Sequence, residues 1–268
     1  MLSNVDKAVA DSDSLRQQYE GLLNGPTTDD LDVLCDQLRS RLASYGRVSF
    51  NAQPDKLLGF LSDPSGVYKN VHMLIAEGEP QPFGYETRRR IDRSVFGDCG
   101  EQLVYGSLNL GNSGNRYWGD YCVVLRQDSG REQTSFIANS TYGYVWQPLI
   151  GLGRQVTVPI GSRATWDNVY QLMIIKFGTR LIEEWRAYNI PAINTMVCGF
   201  FDCIEAQICH PITIADIQEV RVHQTTQLQA LLAQDLPAPM PGDQELKETH
   251  DLVLRELGRR GIRVIVSD

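Results

Sequence analysis

A chain of 268 residues with 42% apolar and 22% charged side chains can bury a full core, with room for one elaborated domain or one domain plus a helical extension. Its net charge of -8 opposes a phosphate backbone and excludes nucleic acid as the expected partner. Apolar runs such as Leu172 to Ile175 fall far short of the roughly 18–20 residues that span a bilayer, and Asp6, Asp11 and Asp13 stand where a signal peptide needs a basic start, so a soluble protein with no membrane partner is expected.

The polar, acidic first 25 residues read as a secretion segment or a frayed terminus. Thr27 to Asp30 then cap a helix, and Leu31, Leu34, Leu38 and Leu42 recur at helical spacing until Gly46. Pro54 to Leu61 and Glu86 to Phe96 are two further helical patterns, which makes residues 1–84 a helical amino-terminal region. In the second pattern Arg88, Arg89, Arg90 and Arg93 could grip phosphates, but with Glu86 and Asp92 beside them on the same helix they read first as a solvated helix face.

From Gln102 the texture turns to short β-rich runs at Leu103 to Leu110, Tyr121 to Leu125, Thr134 to Ala138 and Arg154 to Ile160. The glycine clusters at 111–114 and 151–153 fit neither a dinucleotide fingerprint nor a phosphate loop and read as turns. Helices follow from Thr165 through Phe177 and from Thr179 through Tyr188, after which Asn189-Ile190-Pro191 breaks the pattern. Strands at Cys203 to Cys209 and Glu219 to His223 and a helix at Thr226 to Ala233 complete a core of residues 85–233. Residues 234–268 are a proline-rich connector, a helix from Asp243 to Leu257 and a strand from Ile262 to Val266. Strands and helices that do not alternate regularly predict an α+β fold with a mixed or antiparallel sheet and a helical amino-terminal layer.

Three segments place polar side chains inside apolar strands. In Tyr105-Gly106-Ser107-Leu108-Asn109, strand alternation puts Tyr105, Ser107 and Asn109 on one face, and Gly106 admits a ligand or a backbone at close range. That face is either a ligand wall or the polar outside of an edge strand. Thr134-Ser135-Phe136 leads into Asn139-Ser140-Thr141, a functional hydroxyl and amide cluster or a capped turn. Glu205 interrupts an apolar strand, with Gln207 two residues on along the same face, and a carboxylate in such a place needs a partner or a chemical task. Cys35, Cys99, Cys122, Cys198, Cys203 and Cys209 read as reduced thiols, and without a C-x-x-C pair no metal site is expected. His72, His223 and His250 read as surface or satisfied core residues.

In order and spacing, Tyr105 to Asn109, Arg116-Tyr117-Trp118-Gly119, Thr134-Ser135-Phe136 with Asn139-Ser140, and Ile204-Glu205-Ala206-Gln207 before Pro211 to Ile214 and Asp216 resemble a bacterial family of the ADP-ribosyltransferase superfamily, over roughly residues 85–223. The resemblance implies a split, mixed sheet holding NAD as co-substrate. Glu205, Asn139 and Ser140 would be its catalytic residues; Tyr105, Gly106, Ser107, Asn109, Thr134, Ser135 and Phe136 would bind NAD. Better-known members carry Arg or His on the first strand, whereas residues 102–110 hold neither. A closer similarity is to type III secreted effectors that ADP-ribosylate a threonine of ubiquitin, which implies a virulence effector or toxin delivered into a host cell, with ubiquitin as its host protein substrate. Arginine-modifying relatives have an acidic residue two positions before the catalytic Glu, where this chain has Cys203, so a protein hydroxyl is the expected acceptor. Two other readings are a thiol hydrolase or deamidase built on Cys99, His210 and Asp216, and a binding module that has kept the fold without the chemistry.

Overall fold

The computed structural model describes residues 3–23, 28–141, 158–199, 203–223 and 243–267. Among the described residues, α-helices α1 (Asn4–Leu23), α2 (Thr28–Tyr45), α3 (Pro54–Ser62), α4 (Val71–Ala76), α5 (Tyr85–Phe96), α6 (Val169–Arg186), α7 (Ile190–Cys198) and α8 (Asp243–Arg259) surround one eight-stranded sheet. Its strands are β1 (Arg47–Ala52), β2 (Val104–Asn109), β3 (Tyr121–Leu125), β4 (Thr134–Ile137), β5 (Arg163–Ala164), β6 (Glu205–Ile208), β7 (Ile217–His223) and β8 (Arg263–Ser267). They run in the order β5-β4-β6-β2-β1-β3-β7-β8. Every pairing is antiparallel except β7 with β8, so the sheet is mixed and the chain is α+β in the coarse sense expected.

Several elements depart from expectation. The amino-terminal region is not a purely helical preface, because β1 lies inside it and forms the middle of the sheet between β2 and β3. Val48, Phe50 and Ala52 are buried and alternate with Ser49 and Asn51, a period of two that six residues between Gly46 and Pro54 display only briefly. Asn4–Leu23 is not frayed, since α1 packs on β4, β5 and α6 and fully buries Ala8 and Leu15. Asn189 starts a helix instead of ending one: its side chain accepts a bond from Ala192 N at 3.3 Å, and Pro191 sits in the first turn, where a missing N–H costs nothing. The two helices expected on either side of residue 178 are present, continuous in Val169–Arg186 but for a break at Gly178, whose φ of 46° and ψ of -127° are non-helical, where the sequence places it. Of the strand expected at Arg154 to Ile160, residues 158–160 are not a strand and the rest lies outside the described residues, as do the helix at Thr226 to Ala233 and most of the connector.

One face of the sheet carries the main core, in which Leu108, Val123, Ala206 and Ile208 meet Leu15, Leu38, Leu172 and Met173 from α1, α2 and α6. A smaller cluster joins Ile91, Val95 and Phe96 of α5 to Leu103, Ile137 and Val158. Between that cluster and the loop leading into β3, the middle of the sheet is left open as a cleft.

Candidate active site

Strand register builds the floor of this cleft. Ser49 pairs with Ser107, Ser107 with Glu205 and Glu205 with Ile137, so one row crosses β1, β2, β6 and β4 with its side chains on the same face. The parallel row Tyr105, Gln207, Ser135 lies beside it. Ser49, Ser107 and Glu205 line a cleft of about 220 Å³, walled by Tyr68, Tyr105, Arg88 and Trp118. Ser140 and Asn115 complete its polar lining.

Glu205 is buried and held by three donors. Thr141 N donates to Oε2 at 3.0 Å, the Thr141 hydroxyl donates to Oε1, and Gln207 Nε2 donates to Oε1 at 3.1 Å. A carboxylate offers about four lone-pair positions, so about one remains for a ligand. Burial pushes the Glu205 carboxyl above the usual carboxylate range, and the opposing pull of the Arg88 charge and the Thr141 and Gln207 bonds does not cancel it. Gln207 is itself fixed, since Ser135 Oγ donates to its Oε1 at 3.2 Å, and Asn4 Nδ2 donates to Ser135 Oγ and to the Gln207 carbonyl, each at 2.9 Å.

Arg88 is the cation of the cleft, and the solvated reading of its helix is wrong for this residue. It lies on the stripe of α5 that also carries Ile91, Asp92 and Val95, and its Nε donates to Asp92 Oδ2 at 2.7 Å. Its guanidinium carbon stands 4.2 Å from the Tyr105 ring centroid. Arg89 and Arg93 instead meet Glu101 on the outside of the same helix. The Tyr105 hydroxyl is buried with no hydrogen bond of good geometry even though Asp92 is nearby, and burial raises its pKa well above the phenolic range.

The other expected site residues are placed as follows. Asn109 is buried beneath the cleft, not in its lining: its Oδ1 accepts from Gly111 N and Asn112 N, and its Nδ2 donates to Ser49 Oγ and Asn112 O, all at 2.8 Å. Thr134 donates to Gly130 O, Ser135 serves Gln207, and Phe136 packs in the core against Trp166, so none of the three lines the cleft. Asn139 is half-buried outside the lining, while Ser140 is within it. Gly106 also lines the cleft, yet its close neighbour is backbone: a Cβ there would stand 2.6 Å from Ser49 O. In the sequence Thr141 stands out only as one member of the hydroxyl and amide cluster and Arg88 only within its arginine run, while Asn51 was not singled out. Asn51 Nδ2 donates to Gly119 O at 2.9 Å and its Oδ1 accepts from Asn115 N at 2.8 Å, tying the loop that carries Trp118 to β1.

No hydrogen bond joins the members of the thiol triad, although the His210 charge acts on Asp216. Cys99 donates to Phe96 O at 3.0 Å and has no bond to His210, while Asp216 is taken up by Thr213 N and Oγ1, both at 2.7 Å. His72 is a satisfied core residue, bonded to Asp92 at 2.8 Å and to the Tyr85 hydroxyl at 3.2 Å. Among the described residues no three His, Cys, Asp or Glu side chains converge as metal ligands would, and no helix is long and apolar enough to cross a membrane. Comparison with protein-family profiles, curated proteins and solved structures finds no match to this chain.

Because Thr141 supplies both a backbone and a side-chain donor, it is the residue most directly responsible for aiming Glu205. Thr141→Val keeps the shape and the backbone bond but removes the hydroxyl, a charge-assisted bond of about 1.5–3 kcal/mol. If Glu205 is catalytic, turnover should fall roughly 10- to 100-fold, and Thr141→Ser should restore most of it. Equal steady-state rates for Thr141→Val and wild type would remove this role.

Proposed function

We propose that the protein is an NAD-dependent mono-ADP-ribosyltransferase that passes ADP-ribose to a protein hydroxyl and releases nicotinamide. The observation that carries this reading is Glu205, a buried carboxylate with about one acceptor position left, on the floor of a cleft walled by aromatic rings. Breaking the nicotinamide bond develops positive charge on the ribose, which a preorganised carboxylate stabilises. Its remaining lone pair suits the ribose 2′-hydroxyl. The cleft is smaller than the roughly 300–1,000 Å³ usual for ligand pockets, so the nicotinamide riboside end would occupy it and the rest of the dinucleotide would lie across the open face. Ser140, Tyr105, Gly106 and Ser107 would touch the co-substrate. Asn109, Thr134, Ser135 and Phe136 would support the wall from behind.

The acceptor we favour is a host protein, with a threonine of ubiquitin as the first candidate, and the setting is an effector delivered into a host cell. Support for this part is the sequence resemblance and Cys203 in place of a second acid. Incubating the chain with labelled NAD, purified ubiquitin and a eukaryotic lysate tests both halves. A label that resists hydroxylamine is expected, whereas a hydroxylamine-labile label would indicate arginine, and nicotinamide release at the no-enzyme rate would end the transferase reading. Since burial raises the Glu205 pKa, the rate should climb with pH through a midpoint above the ordinary carboxylate range. A flat profile from pH 5 to 8 would mean that this carboxylate does not limit the reaction.

A further inference from the structure

A buried chain of polar groups runs behind the cleft wall. The Tyr85 hydroxyl meets His72 Nδ1 at 3.2 Å, His72 Nε2 meets Asp92 Oδ2 at 2.8 Å, and Asp92 Oδ2 accepts from Arg88 Nε at 2.7 Å. Arg88 then lies over Tyr105 and lines the same cleft as Glu205. An arginine held by a helix neighbour, a buried acid and an aromatic face is a fixed charge with little freedom to follow a ligand.

We infer that Arg88 is a positioning residue of the site that acts on the reacting ribose through Glu205, its fixed charge in the shared cleft favouring the ionised carboxylate, while Asp92 and His72 keep Arg88 in place. The inference rests on the transferase reading for its catalytic meaning. The remaining groups around Glu205 leave this task to Arg88. Thr141 and Gln207 are neutral donors, and burial keeps the Tyr105 phenol neutral at ordinary pH. Lys176 of α6 donates to the carbonyls of Ala138 and Cys203, and Asp92 is bonded to Arg88 and His72. Burial acts against the Arg88 charge as well, but Tyr105, Asp92 and Glu205 beside it outweigh that effect and keep its pKa above the ordinary value. An opposite charge at close range favours ionisation by about 1–3 pH units in proteins generally.

The experiment follows the Glu205 side-chain carboxyl by carbon NMR in the full chain, with Glu205→Gln to assign the signal. In Arg88→Gln the titration should move to higher pH, Arg88→Met should move it the same way, and Arg88→Lys should stay near wild type. In parallel, hydrolysis of NAD at pH 6 should drop about tenfold or more in Arg88→Gln, the gap closing as pH rises, with KM for NAD little changed. An unmoved titration in folded Arg88→Gln overturns the inference, as does a KM that rises equally at every pH, which would make Arg88 a direct anion-binding group. If Arg88→Gln does not fold, Arg88→Met, which fills the space without the charge, decides, and a midpoint that stays or falls overturns it. Wild-type protein that leaves NAD intact ends the transferase reading, while the titration still decides the relation between Arg88 and Glu205.

Discussion

Glu205→Gln is expected to lower nicotinamide release roughly 10²- to 10³-fold, the cost of removing one preorganised electrostatic stabiliser, with little change in NAD affinity. Gln keeps the shape, and its carbonyl can still accept from Thr141 N while its amide donates to the Thr141 hydroxyl, which reverses its role. Gln207 loses its contact with Oε1 but keeps the Glu205 carbonyl at 3.3 Å. Ground-state contacts thus survive, and the loss falls on the cationic transition state alone. The same substitution should not lower thermal stability near neutral pH. A buried acid whose pKa is raised costs nothing below its unfolded pKa and costs most above its folded one, so Gln removes a penalty that exists only where Glu205 is charged. The stability difference should fade on acidification below the ordinary carboxylate range. A variant as active as wild type, measured by single-turnover nicotinamide release, would make Glu205 a structural group.

Gly106→Ala is expected to destabilise the whole domain by about 3 kcal/mol, lowering Tm by roughly 6–12 °C. The added Cβ would stand 2.6 Å from Ser49 O and 2.8 Å from Val48 Cγ1, and both belong to β1, which is pinned between β2 and β3 and cannot yield. If instead the glycine is there to admit NAD, the variant will melt normally and lose only NAD affinity. Calorimetry together with NAD titration separates the two.

How much of this was legible beforehand depends on the kind of signal. Glu205 and Gln207 were visible because a carboxylate and an amide in an otherwise apolar strand break a strong pattern, and β3 was delimited correctly from Tyr121 to Leu125. Arg88 was hidden by its neighbours: with Glu86, Arg89, Arg90 and Asp92 beside it, the helix reads as solvated, and only the spacing 88, 91, 92, 95 marks the buried stripe. The hydroxyl cluster at 139–141 was recognised as a group, but which member reaches Glu205 depends on how the chain leaves β4, a tertiary fact. Asn109 looked like a ligand group because turn locks and binding residues use the same amide chemistry.

The strand order also bears on how the molecule comes into being. β1 is made early and lies at the centre, yet its partners β2 and β3 arrive more than fifty residues later, and β6 enters between β2 and β4 by pairing Ile208 with Val104 and Thr134. No tight two-residue hairpin joins any of these pairs, so a long loop must close before each of these strand pairings forms. Until β6 is in place, the edges of β2 and β4 stand unpaired, and the half-built sheet can recruit another chain in its stead. The strand that carries Glu205 is also the one that joins the β2 and β4 edges, so a molecule that has acquired Glu205 in register has closed that gap in the sheet.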